Sequence, residues 1–275
     1  MANDKCSRYK IVFVIAAVAI ALLIIPGAIE IYKYLLAGMS AEQFILILLN
    51  EFIGFCFLAS GLWVYLKVQT RTTTLFATAA LFEAFHIIGS VDIPWRPLSE
   101  LFICVANVIV TTIPAIWLHF LLVFPKPKAV LEKRNMMFVL YGPAVLLALF
   151  NYTTRCINEF VLEARNDFSY ILAGLLSQYF ETVYLGVIAW AIIHSCVVAS
   201  SEERSSHGLN FMLLGLIIGI TPRIIVFIFS VYAPETRLPG VEYYSLTAVL
   251  IPFSVAQAVL KKERSGAPAV VDYGP

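Results

Sequence analysis

Charge is what this chain has least of. Only 13% of its 275 residues are Asp, Glu, Lys or Arg, while 60% are hydrophobic. A soluble domain carries about 25% charged residues. So much apolar surface cannot be hidden in a soluble globule, which excludes that class and makes the chain an integral membrane protein. Catalytic and metal signatures are lacking too. There is no CxxC, no HxxxH or HExxH pair, no GxSxG elbow and no phosphate-binding loop. No basic block resembles a nucleic-acid patch, and no polar stretch is long enough for a separate soluble domain. Cys6, Cys56, Cys104, Cys156 and Cys196 have no metal spacing and read as small hydrophobes.

Long apolar runs are what the chain has instead. The most telling is 101–125, LFICVANVIVTTIPAIWLHFLLVFP, without one carboxylate, Lys or Arg. Its length exceeds the roughly 20 residues needed to cross a bilayer. Four Lys or Arg follow within 126–134, and a basic loop of this kind faces the cytoplasm. Seven further runs occupy 11–25, 41–66, 74–91, 136–153, 168–200, 211–233 and 242–260. The run 168–200 is too long for a perpendicular span and is expected to begin in the interface. Asp92-Ile-Pro-Trp-Arg-Pro97 suits an interfacial loop. Lys5, Arg8 and Lys10 before the first run resemble the start of a signal peptide. The small-residue cleavage site is poor there, so an uncleaved first span is expected.

Eight spans place both termini on one side, and the charges test that parity. With the N-terminus inside, the inner segments hold thirteen Lys or Arg and the outer ones five, with Arg223 inside a span. This follows the positive-inside rule. The expected fold is an all-α polytopic membrane bundle of about eight spans, both termini cytoplasmic. Residues 1–262 form the bundle, and 263–275 a short tail. Cys104 and Cys156 both fall toward the outer face on this count; whether they pair is not legible from sequence.

Ionisable groups inside the membrane are costly and point to function. Glu51, Glu83, Glu181 and Arg223 fall near mid-span, His86 follows Glu83 by three, and Gln178, Glu181 and Tyr184 repeat at spacing three. These seven form a candidate ligand-binding or polar cluster, with an Arg223–carboxylate pair as its simplest form. Structural hydrogen bonds between helices, about 0.6 kcal/mol each, are the competing explanation. His86, His119 and His194 lie at different depths, which argues against one metal site. Gly215 and Gly219 form a GxxxG that suits close helix contact. Thr221-Pro222, Pro114 and Pro143 are expected to bend their spans.

Two stretches carry a resemblance. His119-Phe-Leu-Leu-Val-Phe-Pro125 is similar to the His-Phe-x-x-x-Phe-Pro pattern at the cytoplasmic end of a span in the multi-span input regions of bacterial sensor histidine kinases of the competence and quorum-sensing type. Leu250-Ile-Pro-Phe-Ser-Val-Ala-Gln-Ala-Val-Leu-Lys261 resembles the pattern closing their last span. The resemblance covers about 40–262. A kinase needs a phosphoacceptor helix and an ATP-binding domain beyond that point, and only thirteen residues follow Lys262. Lys262-Glu-Arg264 also replaces the family's Tyr-Arg-Leu.

The resemblance implies a receptor module in a bacterial inner membrane, without its own catalytic output. It would signal through a separate protein or by self-association, with the bilayer as its constant partner, no nucleic acid, no cofactor and an unidentified small ligand. Two other classes remain open. A small proton-coupled transporter would use the mid-membrane Glu and Arg residues, and a membrane lipid enzyme would have only Glu83 and His86 as a close acid–base pair.

Overall fold

The structure, a computed structural model, describes residues 2–23, 38–88, 96–157, 167–232 and 246–265, besides Tyr32 and Leu36. The expectations for 24–31, the 92–95 loop, the 158–166 loop and the tail beyond 265 lie outside the described residues. So do the side chains of some helical positions, Arg223 among them. The described chain is helical throughout, with no strand: α1 (Ala2–Leu22), α2 (Ala41–Lys67), α3 (Arg71–Ile88), α4 (Arg96–Val123), a 3-10 turn (Ala129–Glu132), α5 (Met136–Cys156), α6 (Asp167–Val198), α7 (Ser201–Ser206), α8 (Leu209–Tyr232) and α9 (Leu250–Arg264).

Four of these helices are long and apolar enough to cross a membrane: Ala41–Lys67, Phe102–Val123, Met136–Cys156 and Ile171–Val198. Lys10–Leu22 and Leu209–Pro222 are shorter apolar helices. Large apolar side chains stand exposed along the long ones, among them Phe52, Phe138, Leu146, Tyr179, Val187 and Trp190. On a helix that satisfies its own backbone hydrogen bonds, such a face suits hydrocarbon. The chain thus has the make-up of a membrane protein.

The helix ends obey local chemistry. Ser40 accepts from the Gln43 amide while the Gln43 side chain accepts from Ser40, closing a capping box before α2. Ser200 and Glu203 do the same before α7. Gly208, at φ +65°, makes the turn from α7 into α8, a conformation that suits glycine. α4 starts at Arg96, so Pro97 sits in its first turn, where a missing N–H costs nothing. Pro114, Pro143 and Pro222 lie inside α4, α5 and α8. α6 is one unbroken helix of 32 residues, roughly 48 Å at 1.5 Å per residue, longer than the hydrocarbon core.

The helices group into two compact units, Met1–Val91 with Ala199–Ala269, and Asp92–Val198. In the first unit α2 and α3 form an antiparallel hairpin, α8 pairs with α9, α9 leans on α2 and α3, and α1 packs on the hairpin. Small residues let these backbones approach. A Cβ on Gly61 would stand 2.8 Å from the Ala80 Cβ, and one on Gly54 would stand 2.6 Å from Ile88 Cγ1. The 215–219 GxxxG faces α9, with Gly215 against Ser254 and Gly219 against Ile251. It therefore serves packing inside the chain. Phe13 of α1 lies on Tyr65 with ring centroids 4.4 Å apart.

The second unit packs α4, α5 and α6 on one another. Its core is the end of α4, where Ile113 and every residue from Ala115 to Phe124 are buried. Trp117 meets Phe120 edge-on and Phe120 stacks on Phe124.

Candidate functional site

The seven residues expected to form a polar cluster divide between the units. Glu51, Glu83, His86 and Arg223 belong to the first, and Gln178, Glu181 and Tyr184 to the second. Glu51 and Glu83 are half-buried and His86 is exposed. Glu83 and His86 both interact with other groups of the protein. One carboxylate oxygen of Glu51, Oε2, is enclosed and has no hydrogen-bond partner among the described residues. The contacts of Gly54 with Ile88 and of Gly61 with Ala80 set the hairpin register. By interpolation Glu83 lies level with residue 58, roughly 10 Å along the axis from Glu51. His86 lies closer to the level of Glu51.

Of the three expected residues in α6, Tyr184 alone turns inward. It is buried, and its hydroxyl donates to the Leu140 carbonyl at 2.6 Å, tying α6 to α5. Gln178 and Glu181 are exposed. The reason is rotational: six residues at about 100° each carry Tyr184 some 120° round the helix from Gln178.

The two stretches that carry the family resemblance are built into polar clamps. In the first unit the clamp holds the end of α9. Thr70 and Thr73 cap α3 reciprocally: the Thr73 amide donates to Thr70 Oγ1 at 3.2 Å and the Thr70 amide to Thr73 Oγ1 at 2.8 Å. Thr70 Oγ1 also donates to Glu263 Oε1 at 3.1 Å. Lys262 Nζ reaches Thr72 Oγ1 at 3.5 Å and Glu263 at 4.0 Å. Lys262 is 8% exposed, which for a lysine requires partners. Burial pushes its amine below the usual lysine range, partly offset by the Glu263 carboxylate. The helix runs through Arg264, two residues past the expected end of the bundle, because these contacts anchor it to Thr70 and to the first turn of α3.

In the second unit the clamp closes the end of α4. His119 is buried with its Nδ1 2.9 Å from the Tyr141 hydroxyl. The chain then turns through the cis Phe124–Pro125 bond, and Lys128 folds back. Its amide donates to the Leu122 carbonyl at 2.9 Å, and its Nζ donates to the Leu121 carbonyl at 3.1 Å and to Ser195 Oγ at 2.7 Å. A helix end leaves carbonyls without partners, and a lysine here satisfies one of them. Desolvation lowers the Lys128 amine from the usual lysine range, partly offset by the Cys196 thiol.

Lysine beside serine is also the composition of a hydrolytic pair, but the polarity is wrong for it. Ser195 is buried and gives its proton to the Ala191 carbonyl at 2.7 Å. The amine donates to the serine oxygen and takes no proton from it. The arrangement is a cap.

A third polar feature lies at the other end of α5, where Asn107 donates to the Ala148 carbonyl at 2.9 Å and Asn151 to Ser177 Oγ at 3.1 Å. These bonds tie α4 to α5 and α5 to α6. Sequence reasoning passed over Asn107, Asn151, Lys128 and Lys262, because it ranked ionisable groups by depth. The available signal was two Asn residues in otherwise apolar runs. Cys56, Cys104, Cys156 and Cys196 are free thiols, and no metal-ligating cluster occurs among the described residues. Comparison with family models, with curated proteins and with solved structures finds no match.

Proposed function

We propose that this chain is a receptor-like or accessory signalling protein of a bacterial inner membrane, which passes a change in helix packing to a separate cytoplasmic partner. In this reading it crosses the membrane about eight times with both termini in the cytoplasm. The observation that carries the proposal is the clamp on α9. The helix that resembles the closing segment of kinase input regions carries Lys262 and Glu263 in its last turn, and they reach the first turn of α3 and the short turn before it. A small shift of α9 along its neighbours breaks those bonds and frees a charged helix end. Two alternative packings of this kind are what a ligand needs to bias. Lys261, exposed beside the clamp, lies where a partner would read the change.

A photo-crosslinking residue at Lys261 in native membranes tests this. A discrete cytoplasmic signalling protein captured at that position, and lost when Lys262→Met loosens the clamp, is the expected result. Capture of nothing but the protein itself removes the receptor reading.

A second reading, a component of a small proton-coupled transporter, is favoured by the enclosed Glu51 Oε2, because intramembrane carboxylates mark proton relays. Proton flux in proteoliposomes that is the same for Glu51→Gln as for the unaltered chain removes it.

A further inference from the structure

One side of α6 carries polar groups where a face turned to lipid would carry none. The middle of the helix falls between Thr182 and Val183, so Glu181 and Gln178 stand only roughly 2 and 7 Å from it along the axis. A span centred in a hydrocarbon core of about 30 Å holds both deep in the bilayer. Both are exposed, and a polar or ionisable group facing lipid at that depth is costly. Another helix has to cover them.

The spacing gives the shape of the cover. Ile171, Leu175, Gln178, Thr182, Leu185 and Ala189 recur at alternating steps of four and three. That is the 3.5-residue repeat of a coiled-coil seam. Five of the six are exposed and Leu185 is half-buried. The next two members, Ile192 and Cys196, are buried within the chain. The stripe is therefore core at one end and uncovered at the other. Gly186 flanks the uncovered part, with no heavy atom within 4 Å of where its Cβ would be. Glycine weakens a helix and packs against nothing inside the chain here, but it lets a second helix come close. Lipid alone asks for neither the repeat nor the amide.

We propose that α6 pairs in parallel with α6 of a second copy of the chain along this seam. All copies enter the membrane in one orientation, so a two-fold axis relating two of them runs along the membrane normal. A residue beside that axis meets itself at its own depth. The Gln178 side chain carries both donors and an acceptor, so two copies exchange a reciprocal pair of hydrogen bonds. A wholly apolar partner helix offers no such exchange. Glu181 lies about 60° round the helix from Gln178, at the flank of the seam, and the second helix takes it partly out of lipid. The inference rests on α6 spanning the bilayer, and on neither the receptor nor the transporter reading.

The test uses the full chain with its native cysteines replaced, in the membranes of the cells that make it. Single cysteines on the seam, Leu175→Cys, Thr182→Cys and Ala189→Cys, are expected to give disulfide-linked dimers on mild oxidation. Leu176→Cys, Val183→Cys and Val187→Cys, exposed on the other side of α6, are expected to give none. Energy transfer between labelled copies, diluted in phosphatidylcholine vesicles, then measures the affinity. Gln178→Leu is expected to weaken association about tenfold, and Gln178→Asn, which keeps an amide, by less. Gly186→Leu is expected to weaken it too without lowering the unfolding temperature in detergent, since no atom of the chain crowds that position.

Crosslinking that ignores the seam, or an affinity unchanged by Gln178→Leu, overturns the proposal. So does a disulfide from Thr182→Cys to a different protein with no dimer formed. A membrane-impermeant thiol reagent reads the span separately. A monomer whose Thr182→Cys is shielded from it loses the seam and keeps the span, whereas rapid labelling removes both.

Discussion

At the scale of single residues, the two buried lysines make the sharpest predictions. Burial lowers both Lys128 and Lys262 from the ordinary value of 10.5. A base depressed in the folded state holds fewer protons there than in the unfolded chain over the window just below 10.5. Its contribution to stability therefore rises with pH across that window and is flat at lower pH, where both states are protonated. Thermal unfolding of the unaltered protein minus that of Lys262→Met is expected to increase with pH in the window below 10.5; a difference that shrinks contradicts the desolvated amine. Thr70 adds a second, independent handle. It caps α3 and bonds Glu263, so Thr70→Val is expected to cost about 1–2 kcal/mol in chemical denaturation, more than Thr74→Val, whose hydroxyl only returns to the Thr70 carbonyl.

At the scale of elements, glycine contacts hold the first unit together. Gly61→Val drives a methyl group into Ala80 and the α3 backbone and is expected to destabilise the α2–α3 hairpin by about 1–3 kcal/mol. Gly174→Ala, where nothing stands in the way of a Cβ, serves as the control without a clash and is expected to stabilise α6 by up to about 1 kcal/mol. Parallel unfolding of the two variants checks this, and equal stabilities contradict the packing. The 215–219 GxxxG was legible because its spacing of four is a known pattern. Gly54 and Gly61 were not, although seven residues also return to nearly the same face. The length of the uncharged apolar runs likewise revealed the long helices. The Gln178–Tyr184 face was misjudged, because two steps of three residues drift well round a helix of 3.6. The clamps at Lys128 and Lys262 involve partners 67 and 190 residues away, and no local pattern encodes such pairings.

For the whole molecule, composition alone reveals the helical membrane class, and four described helices have the length and hydropathy for it. The proposed count of eight rests on the charge asymmetry of the sequence, since α1, α3, α8 and α9 are not among the four that qualify by length and hydropathy. The proposed reading puts the 126–134 loop and the end of α9 on the cytoplasmic face, and the Arg155 end of α5 on the other. Single cysteines at Lys126, Lys261 and Arg155 in a cysteine-free chain, labelled with a membrane-impermeant thiol reagent, measure that directly. Lys126→Cys and Lys261→Cys are expected to label only in inverted vesicles, and Arg155→Cys only in intact cells. Labelling of Lys126→Cys and Lys261→Cys from opposite sides would contradict the proposed topology, in which both follow the cytoplasmic ends of spans.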